Sequence, residues 1–104
     1  MKSDADICFD AARILEERGW TRGKLEDADG RHCLLGALDR AGIFEFAARR
    51  RVRETLTRKL GGVHPERWND WHARDAQEVI DLLQEVGKEL LGEDAVCTRA
   101  PSRA

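Results

Sequence analysis

Apolar residues recur at intervals of three and four positions in four segments of this chain, and glycine follows each segment. This spacing places the apolar side chains on one face of an α-helix, so the pattern predicts helices that pack through those faces. Glycine just beyond an apolar stripe is a frequent helix stop. We therefore predict an all-α fold, a compact bundle of four helices at about residues 4–18, 32–41, 44–60 and 75–91.

The second predicted helix has the widest apolar face. Its apolar residues cover more than half of the circumference, which indicates a central helix contacted from several sides. They are Cys33, Leu34, Leu35, Ala37, Leu38 and Ala41. Gly36 lies on the remaining narrow face, where glycine costs about 1 kcal/mol relative to alanine. We infer that some other group approaches the backbone closely at Gly36.

The segments between the helices have the composition of loops. Residues 21–31 contain an Asp29-Gly30 turn, and their flanks lack the alternating β-branched residues of a hairpin. Residues 63–74 are predicted to form a compact loop before the last helix, and they contain Trp68, Asn69 and Asp70.

Two interpretations of Trp68-Asn69-Asp70 are open. In the structural one, Trp68 fills the core while Asn69 and Asp70 bond neighbouring backbone N–H groups in Asx-turns. In the functional one, Asn69 and Asp70 are polar groups presented beside Gly36 to a ligand. We favour the structural interpretation, because Asn-Asp before a capped helix is ordinary loop chemistry.

The cysteines and the hydropathy pattern predict a reduced, non-membrane environment. Cys8, Cys33 and Cys97 are odd in number and contain no C-x-x-C pair, so a disulfide framework is not expected. The N-terminus has no apolar signal region, and no stretch approaches ~18 apolar residues. We expect a cytoplasmic protein with no membrane contact.

Cys33 offers one route to chemistry. It lies in the first turn of the second predicted helix, where the helix dipole lowers the pKa of a thiol, and His32, His64, His72 or Asp70 could approach it. A thiol-dependent enzyme or redox sensor is therefore an alternative function. A buried structural cysteine is the favoured interpretation, since Cys33 lies on the apolar face. The spacing matches no zinc-ligand pattern, and we expect neither metal nor cofactor.

The third predicted helix has a basic outer side made of Arg50, Arg51, Arg53 and Arg58. Residues 44–60 carry a net charge of +4, whereas the last predicted helix carries an acidic strip and the whole chain has a net charge of −2. Basic side chains in such a row suit nucleic acid or an acidic protein. Because the chain is acidic overall and shows no base-reading helix, we favour pairing within the fold or with a protein partner.

Domain organisation is simple. We predict one helical domain over residues 1–92 and a disordered tail over residues 93–104, which contain Pro101. Arginine greatly outnumbers lysine, a bias typical of coding in high-GC bacteria and their phages.

Several short motifs share their order and spacing with a known family. They are Gly19-Trp20, Asp29-Gly30, Cys33-Leu34-Leu35-Gly36-Ala37-Leu38, Trp68-Asn69-Asp70 and Glu78-Val79. Over residues 7–91 the chain resembles a family of small uncharacterised proteins of actinobacteria and their phages, marked by Cys-x-x-Gly-Ala and Trp-Asn-Asp motifs. Asp75 stands where the family pattern has threonine, and both residues cap helices well. The resemblance implies a domain of unknown function, with no activity or site residue to carry over.

The residues therefore favour a small helical protein-binding or regulatory module whose partner is another protein or a second copy of this chain. The thiol chemistry at Cys33 and weak nucleic-acid binding remain alternatives, and no small-molecule substrate can be identified. Residues to examine as a binding site are Cys33, Gly36, Arg50, Arg51, Arg53, Arg58, Trp68, Asn69 and Asp70.

Overall fold

A computed structural model describes the backbone of residues 2–103 and the side chains of residues 2–92. In this part the chain forms five helices, which are α1 (Asp4–Arg18), α2 (Leu34–Ala41), α3 (Phe46–Lys59), α4 (Pro65–Trp71) and α5 (Ala76–Arg103). The same residues contain no strand, only two isolated β-bridges. The predicted all-α class is confirmed.

The predicted number of four helices is wrong, because α4 lies within the segment predicted as a loop. His64 precedes α4 with an extended backbone, Pro65 occupies the first turn, and Glu66 places a carboxylate at the positive end of the helix. Proline suits that position because a first-turn N–H has no intrahelical partner. Seven residues form a marginal helix alone, so α4 depends on the packing of its buried Pro65 and Asn69.

Three helices begin one or two residues later than predicted. His32 does not begin α2, because its backbone forms bridges with two loop residues. Phe44 does not begin α3, because its φ of 66° lies in the left-handed region and cannot continue into a right-handed helix. Asp75 caps α5 instead of entering it, and its Oδ1 accepts a hydrogen bond of 2.9 Å from the backbone N–H of Glu78.

The central helix is α1, not α2 as predicted. α1 starts with a capping box in which Ser3 and Asp6 bond each other's backbone N–H, and it packs against α5, α2 and α3. α2 packs mainly against α1 and α4. The fully buried core side chains include Ile7, Leu15, Leu34, Leu38, Val52, Leu56, Val79, Leu83 and Val86. The wide apolar face of α2 is thus covered by two helices and by the loop that precedes it.

The loop between α1 and α2, residues 19–33, is ordered by hydrogen bonds. Asp27 Oδ1 accepts from the backbone N–H groups of Asp29 and Arg31, at 3.0 and 2.9 Å, and Asp27 Oδ2 accepts from Arg31 Nε at 2.7 Å. Desolvation alone would raise the pKa of Asp27, but these hydrogen bonds together lower the pKa below its ordinary value. The predicted turn at Asp29-Gly30 is present, with Gly30 at a φ of 83°.

Two further predictions concern the ends of the fold. The last helix was predicted to end at residue 91, before Gly92, whereas α5 continues to Arg103. The side chains of residues 93–104 lie outside the described residues, so the predicted disordered tail and the domain boundary at residue 92 stay predictions. Among the helices that the structure describes, none is both long enough and apolar enough to cross a bilayer.

Candidate functional site

Asn69 on α4 is a buried polar residue that joins three parts of the chain. Its Oδ1 accepts hydrogen bonds from Trp20 Nε1 at 2.6 Å and from the backbone N–H of Leu34 at 3.1 Å. Its Nδ2 donates to the carbonyl oxygen of Thr21 at 3.2 Å and to Asp70 Oδ1 at 3.0 Å. Because Leu34 is the first residue of α2, its N–H has no partner inside that helix. Asn69 therefore fixes the loop and the start of α2 to α4.

Asp70 and Arg22 add two more bonds between the loop and the α4 region. Asp70 Oδ1 accepts from the backbone N–H of Gly23 at 2.9 Å. The Arg22 guanidinium donates to the carbonyl oxygen of Ala73 at 2.6 Å, and its carbon lies 4.5 Å from the centroid of the Trp20 ring, a cation–π geometry. The loop is thus held to α4 by both its backbone and its side chains.

These contacts agree with the structural interpretation of Trp68-Asn69-Asp70 but through different partners. Asn69 has a solvent exposure of 0%, and its two donors and two acceptor sites are all used, so it has no group left for a ligand. Local Asx-turns were expected, whereas the main partners lie 35 to 49 positions away in the sequence. Trp68 is partly buried and packs against the core.

The close approach inferred at Gly36 is made by the backbone of Leu25. A Cβ added to Gly36 would lie 1.9 Å from the carbonyl oxygen of Leu25 and 2.8 Å from its carbonyl carbon. The same oxygen accepts a hydrogen bond of 3.3 Å from the backbone N–H of Cys33. Gly36 is therefore covered by the loop of the same chain, so this glycine is explained without a ligand.

Cys33 is the N-cap of α2. Its Sγ accepts a hydrogen bond from the backbone N–H of Gly36 at 3.3 Å, and its side chain is buried. Burial raises the pKa of the Cys33 thiol, and it outweighs the backbone N–H groups that lower the pKa. Burial also raises the pKa of Cys8 to about 12, with a smaller contribution from Asp4. Neither thiol has the depressed pKa of a nucleophile.

We expect Cys33 to be protected from alkylation in the folded protein. Iodoacetamide attacks the thiolate, and both burial and the raised pKa keep Cys33 protonated and covered. At pH 7.5 the rate at Cys33 should be at least about tenfold lower than in the urea-unfolded chain. Peptide mapping by mass spectrometry in a Cys97→Ser background measures this rate. Equal rates in the folded and unfolded chain would restore the thiol chemistry proposed from the sequence.

His32 is a second buried polar group, with an exposure of 2%. Among the described residues neither ring nitrogen has a hydrogen-bond partner, and the closest acid is Glu26, whose Oε1 lies 3.4 Å from Nε2. His32 borders an open cavity of about 270 Å³ together with Gly36 and Ile43. Within residues 2–92 no group of three His, Cys, Asp or Glu side chains is arranged to hold a metal ion.

The basic outer side of α3 is largely neutralised within the chain. Five of its six cations are paired, through Arg49–Asp39, Arg50–Glu54, Arg51–Asp4, Arg53–Glu66 and Lys59 with both Glu85 and Glu89. The Arg51 pair is bidentate, with both nitrogens 2.9 Å from Asp4 oxygens. The pairing expected from sequence therefore exists, although only Lys59 uses the acidic strip of α5 and the other partners come from α1, α2, α3 and α4.

Among the residues whose side chains are described, three of the six exposed large apolar side chains lie at the α2–α3 connection and the start of α3. Phe44, Phe46 and Ile43 expose 84%, 66% and 54% of their surface, and Leu25 of the neighbouring loop exposes 55%. Leu25 lines one cavity with Ile43 and a second, of about 400 Å³, with Phe46, while Phe44 and Phe46 line a third. Each of these four residues, which we call the apolar surface, therefore shares a cavity with at least one of the others.

None of these four residues was among the candidates from the sequence. Phe44 was placed in the third predicted helix, residues 44–60, and this placement is wrong because that helix begins only at Phe46 and the side chain of Phe44 is exposed. The sequence did contain a feature that indicates exposed apolar residues here. Ile43 and Phe44 directly follow Gly42, which ends α2, so they lie in the connection between two helices. Large apolar residues in a tight connection between helices cannot all face the core.

Comparison with known proteins identifies a family. A family model described as a family of unknown function, DUF6197, matches residues 1–89. No curated protein and no solved structure matches the chain. Because the matched region contains α1 to α4, the 19–33 loop and the first half of α5, it includes every contact described above. The protein therefore belongs to the DUF6197 family, whose function is unknown.

Proposed function

We propose that the protein is a small helical protein-binding module of bacterial or phage origin, acting in the cytoplasm. The apolar surface of Leu25, Ile43, Phe44 and Phe46 receives a segment of another protein that carries apolar side chains flanked by acidic ones. The observation that carries the proposal is the exposure of these four large side chains side by side. Contiguous apolar patches of this kind on a small domain mark interaction sites.

The energetics of the apolar surface favour a partner over water. Burying one large apolar side chain contributes about 1.5–3 kcal/mol, and Phe44 and Phe46 still expose most of their surface. Aromatic anchors of this type dominate the binding energy of protein interfaces. Because Leu25 belongs to the loop held by Asn69, the apolar surface has a rigid support.

The charges around the apolar surface favour an acidic partner. Arg49, Arg50 and Arg53 line the cavity that Phe46 also lines, and Asp39 is the acid in that lining. Each of the three is paired with a carboxylate of the same chain but keeps further N–H donors. A second copy binding through the same surface would bring these arginines close to their own counterparts across a two-fold axis. Carboxylates of a different protein would bond the N–H donors that these arginines leave unused, whereas a second copy would offer further guanidinium groups, so we favour a different protein with acidic flanks.

The backbone of Phe44 adds a further argument. Its φ of 66° is unfavourable for a residue with a Cβ, and the side chain gains little burial in return. A residue that stores strain at the surface of a turn fits a binding role, because the strain aims the side chain outward.

We expect Phe44→Asn to stabilise the fold and weaken binding. Asparagine tolerates the left-handed region, so the free energy of unfolding should rise by about 0.5–1 kcal/mol. Loss of the ring should weaken partner binding by about ten- to hundredfold. Urea denaturation measures the first effect. Trp71→Asn is the control, because Trp71 is an equally exposed aromatic on α4 outside the apolar surface.

The binding test compares the same proteins. Biotinylated wild type, Phe44→Asn and Trp71→Asn are used to capture proteins from a cell lysate, and each captured protein is then purified and its affinity measured by calorimetry. The proposal requires a protein whose binding is weakened by Phe44→Asn, kept by Trp71→Asn and reduced by added salt. Equal binding by Phe44→Asn would refute the proposal. So would a concentration-dependent dimer in sedimentation that Phe44→Asn abolishes, since a second copy would then cover the surface.

A further inference from the structure

A cleft with different chemistry lies beside the apolar surface. It is an open cavity of about 660 Å³ along α3, within the ~300–1,000 Å³ range of small-molecule sites. Its lining residues, which we call the basic cleft, are Arg50, Arg53, Glu54, Thr57, Arg58 and His64. His64 is the residue before α4, so the cleft lies where the α3–α4 connection returns along α3.

The arginines of the basic cleft keep hydrogen-bond donors that the fold does not use. Among residues 2–92, Arg58 pairs with no carboxylate, and its guanidinium donates only to Thr55 Oγ1, at a long 3.3 Å. Arg50 approaches Glu54 at 3.5 Å, with an arginine side chain that is 83% exposed. Each guanidinium carries five N–H donors in a planar fork. By contrast, Arg51 on the same helix is held bidentately by Asp4.

The charge of the basic cleft sets the charge of its ligand. The lining contains three guanidinium groups and one carboxylate, that of Glu54, and Glu66 outside the lining pairs with Arg53 at 3.0 Å. Counted together these groups keep a net charge of +1, in a chain whose net charge is −2, and Arg58 pairs with no carboxylate in residues 2–92. A carboxylate offers two acceptor oxygens to the unused N–H donors of Arg50 and Arg58. A phosphate monoester carries a charge between about −1.5 and −2 at neutral pH and offers three acceptor oxygens.

We propose that the basic cleft binds a phosphate monoester, in addition to the protein partner of the apolar surface. Arg50, Arg53 and Arg58 supply the charge and the paired N–H donors that match phosphate oxygens, and the ring of His64 supplies a further donor. The cavity is larger than a phosphate group, so it also receives the organic group that the phosphate esterifies.

The first test uses two probes of the same shape and different charge. Phenyl phosphate is a dianion at pH 8, and phenyl sulfate is a monoanion. In NMR titrations at equal ionic strength, we expect phenyl phosphate to bind about tenfold more tightly, with saturable shifts at the Nε–Hε signals of Arg50, Arg53 and Arg58. Equal affinity for both probes, or shifts spread over arginines outside the basic cleft, would overturn the proposal.

Two variants locate the site. Arg58→Gln should weaken phenyl phosphate binding at least about fivefold, because it removes a guanidinium that makes no ion pair in residues 2–92. Arg13→Gln is the matched control, since Arg13 is an exposed arginine on α1 outside the cleft. Arg58 does not line the cavities of the apolar surface, so Arg58→Gln should leave protein binding unchanged and separates the two proposals. An affinity unchanged by Arg58→Gln would place the anion elsewhere.

The last comparison identifies the source of the phosphate. If a phosphoserine peptide binds more tightly than free phosphoserine, the result supports the phosphate site and identifies a phosphorylated protein as the ligand. If the two bind with equal affinity, the result supports the phosphate site and identifies a free small molecule as the ligand. The affinity for a 12-mer single-stranded DNA is measured for the same variants. If Arg51→Gln lowers this affinity as much as Arg58→Gln does, nucleic-acid binding replaces the proposal, because Arg51 lies outside the basic cleft.

Discussion

Replacing Asn69 with alanine should lower the free energy of unfolding by about 3–5 kcal/mol. The side chain makes four hydrogen bonds at a position with 0% exposure, and each is worth about 0.5–1.5 kcal/mol. The larger cost comes from the partners left behind, since the indole N–H of Trp20 and the first N–H of α2 at Leu34 would lose their acceptor in a partly or fully buried place. Such a loss is a large fraction of the ~5–15 kcal/mol that stabilises a typical domain.

Urea denaturation followed by tryptophan fluorescence measures this change. Trp20→Phe removes the indole N–H donor and part of the ring but keeps an aromatic side chain and leaves Asn69 in place, so we expect about 1–2 kcal/mol from that variant. Arg67→Ala, an exposed change on the same short helix, should stay within about 0.5 kcal/mol of wild type. A loss below about 1 kcal/mol for Asn69→Ala would mean that α4 does not hold the loop through this residue.

Gly36→Ala should also destabilise the protein, by about 3 kcal/mol, although alanine is the better helix former by about 1 kcal/mol. The added Cβ would meet the carbonyl oxygen of Leu25 at a separation that no contact allows. A backbone atom cannot rotate away as a side chain can, so the loop must move outward. That movement also breaks the hydrogen bond from the N–H of Cys33 to the same oxygen.

Two other helical glycines provide matched controls for the same substitution. At Gly92 an added Cβ meets no described atom within 4 Å, so Gly92→Ala should be neutral or stabilising by up to about 1 kcal/mol. At Gly87 it meets the ring of Phe9 at 2.8 Å, and that ring can shift, so Gly87→Ala should fall between the two. Thermal unfolding of the three variants gives the order directly. A stabilised Gly36→Ala variant would show that Leu25 does not lie against α2.

The destabilising variant Gly36→Ala should also affect partner binding, because it displaces the loop that contains Leu25. Leu25 touches Gly36 through its backbone and contributes its side chain to the apolar surface. If the loop moves in Gly36→Ala, binding of the protein partner should weaken together with stability. Phe44→Asn should instead weaken binding while raising stability, so the two variants distinguish a lost support from a lost contact.

The sequence predicted well what depends on neighbours along one helix. The bounds of α1 agree with the prediction of residues 4–18, because its apolar stripe and the glycine after it are local signals. The short helix α4 could not be predicted in the same way. Its residues have no apolar stripe, and its stability comes from Asn69, whose partners lie in the loop and in α2.

The candidate site could be predicted from the sequence even less well than the helices. The arginines of α3 were visible in the sequence as a basic row, but their pairing with Asp4, Asp39 and Glu66 depends on where α1, α2 and α4 pack. Without those distances, Arg51 and Arg58 appear equivalent. Of these two residues, the structure places Arg58 in the lining of the basic cleft and Arg51 outside it.

The chain alone therefore determined the helical class, the bounds of α1, the starts of α2, α3 and α5 to within two residues, and the need for a close approach at Gly36. Each of these follows from periodicity or from the special backbone of glycine, which act over a few residues. Tertiary structure decided that Leu25 makes the approach, that Asn69 fixes the loop to α2, and that Phe44 faces water. Those outcomes depend on contacts between distant residues, because a side chain is buried or exposed only by what packs against it.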